Sequence, residues 1–315
     1  AIGIDLGGTA IKYGICSREG EIVREFSRPT HADSPVDAIL EHLSEAAEEA
    51  LAFARSQGMS IEVIGLGTPG SVDVEEGFLK GNTPNFKHWR NVPIKRRMED
   101  RLQIPVFVDN DANVMAFGEA RFGAGQGSDQ VVCITLGTGI GGGVIIDGKL
   151  FRGSMYAGAE LGHMSICYNG HPCRCGGVGC WERYASATAM IEHYAQLNPD
   201  DPVSDTRTIF ERYHASEPAA QQVVETEIRM VAVGIANLIN IFNPRKIIIG
   251  GGVSEAGDWF VERIAGAARE RAMEPALENL EIVRATLGNK AGWLGAAAFA
   301  LSHFGDTSEE GLTRI

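Results

Sequence analysis

The sequence has 315 residues, among them 39 glycines and 6 cysteines, and a net charge of −13 at pH 7. This length suggests about two domains, and the negative charge excludes the broad basic surface expected of a nucleic-acid-binding protein. No apolar run reaches the ~18 residues of a membrane span, the chain opens on a strand-like segment rather than a signal peptide, and the cysteines are too few for a secreted disulfide scaffold. We therefore expect a cytoplasmic protein that binds neither membrane nor nucleic acid.

The predicted elements alternate between strands and helices, which is typical of an α/β fold. The first half is predicted to contain strands at 2–6, 11–16 and 21–26, a helix at 35–56, a strand at 63–67, a helix at 93–102, a strand at 106–109 and a helix at 112–122. The long helix is inferred from apolar residues that recur at spacings of three and four.

The second half is predicted to contain strands at 131–136, 143–146 and 149–151, a helix at 217–242, a strand at 246–249 and a helix at 291–304, followed by a frayed polar tail. Asp147-Gly148 is a strong hairpin signal. A strand, a glycine turn and a hairpin thus occur in the same order near both 2–26 and 131–151. We interpret this as an internal duplication of one supersecondary unit.

Three glycine-rich turns each follow an apolar strand, and they are candidate phosphate sites because bare backbone can point several N–H groups at one anion. They are Asp5-Leu6-Gly7-Gly8-Thr9, Gly137-Thr138-Gly139 and Gly250-Gly251-Gly252. Each could instead be a tight turn without a ligand. Asp5 is placed to hold Mg²⁺ through water, or to cap the turn. Neither a Walker A motif nor a glycine pattern that opens a βαβ helix is present.

Three thiols lie within eight residues, at Cys173, Cys175 and Cys180. This spacing favours a tetrahedral zinc site, because a Cys-x-Cys pair makes a strained disulfide. Spacing leaves the fourth ligand open among His163, Cys167 and His171. Cys16 and Cys133 lie in strand-like segments and are expected in the core.

Two acids and two amides follow the strand at 106–109, in the order Asp109, Asn110, Asp111, Ala112, Asn113. Such a group suits sugar recognition and removal of a hydroxyl proton, although an acid here could equally cap the next helix. Local sequence does not separate Asp109 from Asp111 as the base.

The stretch from Asp5 to Lys12 resembles the first phosphate motif of the sugar-kinase, heat-shock-protein and actin superfamily. The segment 136–143 resembles its second phosphate motif, and Gly250–Gly252 its adenosine motif. The resemblance implies two RNase H-like (actin-like ATPase) domains with a hinge and a cleft that binds ATP. We expect a small domain of residues 1–111 and 297–315 and a large domain of residues 112–296.

The stretch 158–163, together with 173–182, resembles the signature of the ROK family (repressors, open reading frames, kinases), and the likeness extends over essentially the whole chain. It implies that His163 is the fourth zinc ligand, that Asp111 is the catalytic base, and that the sugar contacts are Gly70, Asn85, Asn110, Asp111, Glu160, His163 and Glu182. The zinc is expected to be structural. We assign much of the glycine excess to ligand and metal loops, including Gly65.

The resemblance implies a homodimeric kinase that uses ATP and Mg²⁺ to phosphorylate a hexose, with glucose expected, at its 6-hydroxyl. Three alternatives stay open: a sugar-sensing repressor of the same family, an actin-like ATPase, and a kinase for N-acetylmannosamine, fructose or allose. Polyphosphate is conceivable as a donor. An upstream helix-turn-helix is not expected, because the phosphate motif begins at residue 3.

Overall fold

The computed structural model describes residues 1–83 and 86–312, without the side chains of Asn82 and of residues 305–312. The strands are β1 (Ile2–Leu6), β2 (Ala10–Cys16), β3 (Ile22–Pro29), β4 (Ile64–Thr68), β5 (Ser71–Asp73), β6 (Phe78–Asn82), β7 (Arg90–Pro93), β8 (Val106–Asn110), β9 (Val131–Leu136), β10 (Ile140–Ile146), β11 (Lys149–Leu150), β12 (Lys246–Gly250) and β13 (Glu281–Arg284). The helices are α1 (Val36–Ser56), α2 (Ile94–Leu102), α3 (Asp111–Phe122), α4 (Ala187–Leu197), α5 (Thr206–His214), α6 (Pro218–Phe242), α7 (Asp258–Arg269) and α8 (Ala291–Leu312).

Two five-stranded sheets share one topology. Their strand orders are β3-β2-β1-β4-β8 and β11-β10-β9-β12-β13. In the first sheet, β1 pairs antiparallel with β2 and parallel with β4, and β4 pairs parallel with β8. In the second sheet, β9 pairs antiparallel with β10 and parallel with β12, and β12 pairs parallel with β13. This equivalence confirms the internal duplication predicted from the order of strands and glycine turns.

The chain divides into two compact units. The first contains Ala1–Gln126, Leu150–Gly158 and Asn289–Ile315, and the second contains Gly127–Lys149 and Ala159–Gly288. The first unit therefore keeps helix α3, which extends beyond the predicted boundary at 111. The chain returns to the first unit at residue 289, whereas the sequence predicted a return at residue 297.

Helix α8 packs directly on β1 and β4 of the first sheet. A Cβ atom on Gly3 would lie under 3.0 Å from the backbone of Trp293, and one on Gly65 equally close to the backbone of Ala296. The sequence-based assignment of Gly65 to a ligand loop is therefore wrong. Its missing side chain instead lets a helix approach the sheet at backbone distance.

Most long, strongly periodic elements lie where they were predicted. Helix α8 is an exception, since it continues to Leu312 through the segment predicted to fray. The elements that were not predicted are α4, α5, α7, β13 and the small sheet β5-β6-β7. Among the described residues, no helix is both long and apolar enough to cross a bilayer.

Candidate active site and metal centre

The candidate catalytic residues of the first unit lie at one edge of its sheet. Strands β1, β4 and β8 run parallel, so their carboxyl ends meet at that edge, where ligands bind in open α/β sheets. Asp5 lies near the end of β1, and Asp111 begins helix α3 directly after β8. Gly67 has no side chain there, and a Cβ on it would meet Val114 of the first turn of α3.

The structure separates the two acids that local sequence could not. The carboxylate of Asp109 is buried and bound to Arg152, whose Nε lies 2.8 Å from Oδ2 and whose terminal nitrogen lies 2.7 Å from the same oxygen. Its Oδ1 accepts hydrogen bonds from the Asn110 amide and from Asn113 Nδ2. Asp109 is therefore committed to structure, whereas Asp111 is only partly buried and its Oδ1 accepts from the adjacent Ala112 amide.

Asn110 rather than Asp111 caps helix α3. Its Oδ1 accepts from the amides of Ala112 and Asn113, and its Nδ2 donates to the carbonyl of Gly70 at 3.1 Å. Gly70 has φ of +100°, a conformation that favours glycine. The cap thus joins the predicted sugar loop to the strand end.

Asn85 and Trp89 follow this segment in the sequence. Asn85, predicted to contact sugar, lies outside the described residues. Trp89 is fully buried, and its Nε1 donates to Thr68 Oγ1 at 2.9 Å. It therefore belongs to the core.

Hydrogen bonds fix one side of the turn after β1, and the other side of the turn is open. The amide of Gly7 donates to the Ala10 carbonyl, and the Thr30 hydroxyl donates to the Gly7 carbonyl at 2.6 Å. No atom lies within 4 Å of a Cβ placed on Gly8. The turn thus leaves room for a phosphate group.

Charged groups flank this turn. Burial and the nearby Asp111 carboxylate raise the pKa of Asp5 to about 7. Lys12 lies opposite Asp5 in the β1–β2 ladder, and its Nζ donates to Asn289 Oδ1 at 3.2 Å. A bound cation near Asp5 would favour its ionised form, so this carboxylate fits a Mg²⁺ site.

In the second unit, the other two glycine turns follow the adjacent parallel strands β9 and β12. Gly137 and Gly252 face open space, whereas Gly251 has φ of +86° and packs against the backbone of Leu136. The Thr188 hydroxyl donates to the Thr138 carbonyl at 2.7 Å and anchors the first of these turns to α4. These two glycine turns lie at one edge of the sheet, an arrangement that suits the phosphates and the adenosine of one nucleotide.

The candidate metal ligands His163, Cys173, Cys175 and Cys180 come together in the second unit. Their ligand atoms all lie within 4.8 Å of one another, with Cys173 Sγ 3.7 Å from His163 Nδ1 and Cys175 Sγ 3.5 Å from Cys180 Sγ. Nitrogen and sulfur ligands around one tetrahedral zinc ion are roughly 3.5–3.8 Å apart. The geometry therefore fits a closed zinc site.

The thiol chemistry also fits a metal. Burial raises the pKa of both Cys173 and Cys180, whereas the hydrogen bond from the Gly177 amide lowers that of Cys175. Three thiols in contact become thiolates together only when a cation balances their charge. The two alternatives for the fourth ligand lie outside the cluster, since Cys167 Sγ is near Asn169 and the His171 ring packs on Tyr184.

Glu182 connects this cluster to a phosphate turn. Its Oε1 lies 3.3 Å from Cys173 Sγ and 3.6 Å from His163 Nδ1, and a Cβ placed on Gly139 would collide with its Oε2. Glu160 is exposed and stands one helical turn before His163, which donates its amide to the Glu160 carbonyl. The predicted sugar contacts of the second unit therefore surround the metal cluster.

Sequence reasoning missed Arg152 and the contact of Glu182 with Gly139. Arg152 lies 43 residues beyond its partner Asp109, and no local pattern marks either pairing. The position of this partly buried arginine could only have been found from coordinates.

The duplicated sheets and their strand-end glycine turns define the class of two-domain, actin-like phosphotransferases and ATPases. A model of the ROK family matches residues 1–303. The chain is 36% identical over 320 residues to a glucokinase of Thermotoga maritima, covering 96% of this chain and 98% of that protein. The chain belongs to the ROK family.

Two solved structures are similar over nearly the whole chain, both at 36% identity. The ROK hexokinase of Thermus thermophilus has a TM-score of 0.86, covering 97% of this chain and 99% of that one. A ROK family glucokinase of Streptomyces griseus, in complex with glucose and AMPPNP, has a TM-score of 0.81, covering 96% and 99%. These neighbours confirm the predicted actin-like two-domain fold.

Proposed function

We propose that this protein is a glucokinase, which transfers the γ-phosphoryl group of ATP to the 6-hydroxyl of glucose. The observation that carries the proposal is the position of Asp111, an acid on the same sheet edge as the open glycine turn after β1. The relative from Thermotoga maritima is named a glucokinase, and the neighbour from Streptomyces griseus was solved with glucose and AMPPNP.

In this proposal Asp111 accepts the proton of the sugar 6-hydroxyl as that oxygen attacks the γ-phosphorus. Phosphoryl transfer needs little covalent help from the protein, so positioning and charge neutralisation dominate. Asn110 supports the loop of Gly70 and still offers a second N–H to a sugar hydroxyl. Glu160, His163 and Glu182 are proposed to contact the sugar from the second unit, with Gly70 and Asn85 from the first.

The nucleotide is proposed to lie on the three glycine turns. The amides at Gly7, Gly8, Thr9, Gly137, Thr138 and Gly139 would meet the phosphates, together with Lys12, and Gly250, Gly251 and Gly252 would meet the adenosine. Asp5 would hold the Mg²⁺ that neutralises the phosphates. Domain closure, as in other kinases, would exclude water as a competing acceptor.

Zinc is proposed to be structural. His163, Cys173, Cys175 and Cys180 leave no open coordination position, so the ion would hold the loop in shape rather than activate water. His163 places Nδ1 toward the thiols, so a bound zinc would fix its ring and leave Nε2 for a sugar hydroxyl.

A coupled assay with ATP tests this function over a panel of glucose, N-acetylmannosamine, fructose, allose and mannose. Glucose should give the highest kcat/KM. ATP hydrolysis without phosphorylation of any sugar would refute the kinase proposal, and a preference for another sugar would refute only its specificity. Replacing ATP by polyphosphate tests the donor. We further propose a cytoplasmic homodimer, which light scattering of the purified chain tests for oligomeric state.

A further inference from the structure

Trp181 stands in the sequence between the candidate metal ligand Cys180 and the candidate sugar contact Glu182. Its indole ring is fully buried in the core of the second unit. The indole Nε1 donates to the carbonyl of Met230 in helix α6 at 2.9 Å, and the backbone amide donates to the carbonyl of Met164 at 2.9 Å. Both the side chain and the backbone of Trp181 are therefore fixed to the second unit.

Helix α6 makes room for this ring at Gly234, one helical turn beyond Met230. A Cβ placed on Gly234 would lie 2.1 Å from Cε2, 2.3 Å from Cζ2 and 2.4 Å from Cδ2 of Trp181. These atoms belong to a rigid ring system, so the collision could be relieved only by moving the whole indole or the helix. A glycine inside a helix is less stable than an alanine, and the contact with the indole gives the reason for it here.

The segment that begins at Trp181 carries Glu182 and supports the phosphate turn after β9. Trp181–Arg183 forms one turn of 3₁₀-helix, and the Ser186 hydroxyl donates to the Glu182 carbonyl at 2.8 Å. The amide of Ala187 donates to the Gly137 carbonyl at 2.8 Å. The Glu182 carboxylate itself lies against the same turn. A displacement of the indole would therefore move this carboxylate, because only one peptide bond separates the two residues.

We propose that Trp181 is a positioning residue, which holds the Glu182 carboxylate at the sugar site through its contact with Gly234. The inference rests on the proposed function, in which Glu182 contacts glucose. A fully buried indole has no surface for the sugar, so Trp181 acts through Glu182. Helix α6 thereby becomes part of the support of the sugar site, although no residue of α6 was predicted to contact a ligand.

The test is Gly234→Ala, with glucose binding measured by calorimetry and kcat and KM by a coupled assay. The kcat/KM for glucose should fall about tenfold to a hundredfold, because a misplaced contact group weakens sugar binding. The fall should come mainly from KM, and the Kd for glucose should rise in parallel. Gly266→Ala, in open space on α7, is the matched control and should bind glucose as the unaltered chain does. A lower melting temperature with unchanged Kd and KM would mean a merely structural role and overturn the proposal.

Metal content separates this role from an effect on the zinc site, since Cys180 directly precedes Trp181. Gly234→Ala should keep the same amount of zinc per chain as the unaltered protein. If zinc is lost together with glucose binding, the effect passes through the metal site and the proposal fails. Trp181→Leu, which removes the anchoring ring, should raise the KM for glucose in the same way, and it serves as the test should Gly234→Ala fail to fold.

Double variants show whether the effect passes through Trp181 and Glu182. Leucine lacks the fused ring atoms, so Gly234→Ala should change the Kd for glucose little in the Trp181→Leu background, and equally little in the Glu182→Gln background. An unreduced effect in either background would contradict the proposal. If the unaltered chain binds no glucose, the proposed function fails together with this role. If it binds glucose and Gly234→Ala binds it equally well, only the role of Trp181 is refuted.

Discussion

Asp109 and Asp111 stand two positions apart, and exchanging each for asparagine should have opposite effects. Asp111→Asn removes the proposed base but keeps an oxygen that can accept from the Ala112 amide. A general base contributes about 10²–10⁴-fold, so kcat should fall by that factor, or ~3–5 kcal/mol of transition-state stabilisation. The free energy of unfolding should change by only about 0.5 kcal/mol, because the substitution keeps the shape of the side chain and its acceptor oxygen.

Asp109→Asn is the matched control. It leaves the Arg152 guanidinium, whose side chain is 16% exposed, without its carboxylate. Removing one partner of a buried ion pair costs about 3–5 kcal/mol, so the melting temperature should fall clearly. Adding Arg152→Met should recover part of that loss, since it removes the uncompensated charge.

Coupled kinase assays at saturating ATP measure kcat and KM, and urea unfolding measures stability. The role proposed for Asp111 is refuted if Asp111→Asn keeps kcat within about threefold of the unaltered enzyme. If Asp109→Asn abolishes turnover at an unchanged melting temperature, the two roles have been exchanged.

Three further changes test other parts of the structure. Metal analysis should find one zinc per chain, and Cys180→Ser or a strong chelator should lower the melting temperature. Cys167→Ser is the control and should leave the melting temperature unchanged. A metal-free chain of equal stability would contradict the zinc site. Gly65→Ala should lower the free energy of unfolding, measured in urea, by roughly 1–3 kcal/mol, because its Cβ would collide with the Ala296 backbone. Gly266→Ala, in open space on α7, is the control and should leave the free energy of unfolding unchanged or raise it. Because the pKa of Glu227 is higher in the folded than in the unfolded chain, its contribution to stability is complete at acidic pH and lost as pH rises through the folded value. Glu227→Gln should therefore flatten the fall of the melting temperature as pH rises above the ordinary glutamate value of 4.5, and parallel curves would refute the shift.

The sequence predicted the parts of the fold that depend on local pattern. The strands before each glycine turn and the helices α1 and α6 have periodic apolar residues, so their positions needed no tertiary information. The duplication followed from the same signals. The metal ligands could be predicted because three of them lie within eight residues.

The remaining features depend on contacts between distant segments. The ion pair that commits Asp109 to structure is made with Arg152, which lies on a segment that rejoins the first unit. Gly65 looks like a loop glycine until α8 is seen against it. The strands β5 to β7 have three to five residues each, too few to show a period.

The packing of α8 on the glycine face of the first sheet also affects the order in which a newly made chain can fold. The strands of that sheet end at Asn110, but the helix that covers them begins at Ala291. At 5–20 residues per second, about 180 residues of translation separate the two, a delay on the order of 10–40 s. The second unit ends at Gly288 and is complete first. The core that α1 and α2 form with this sheet lies within residues 2–108 and can form early. The opposite, glycine-bearing face of the sheet stays without its covering helix until α8 leaves the ribosome.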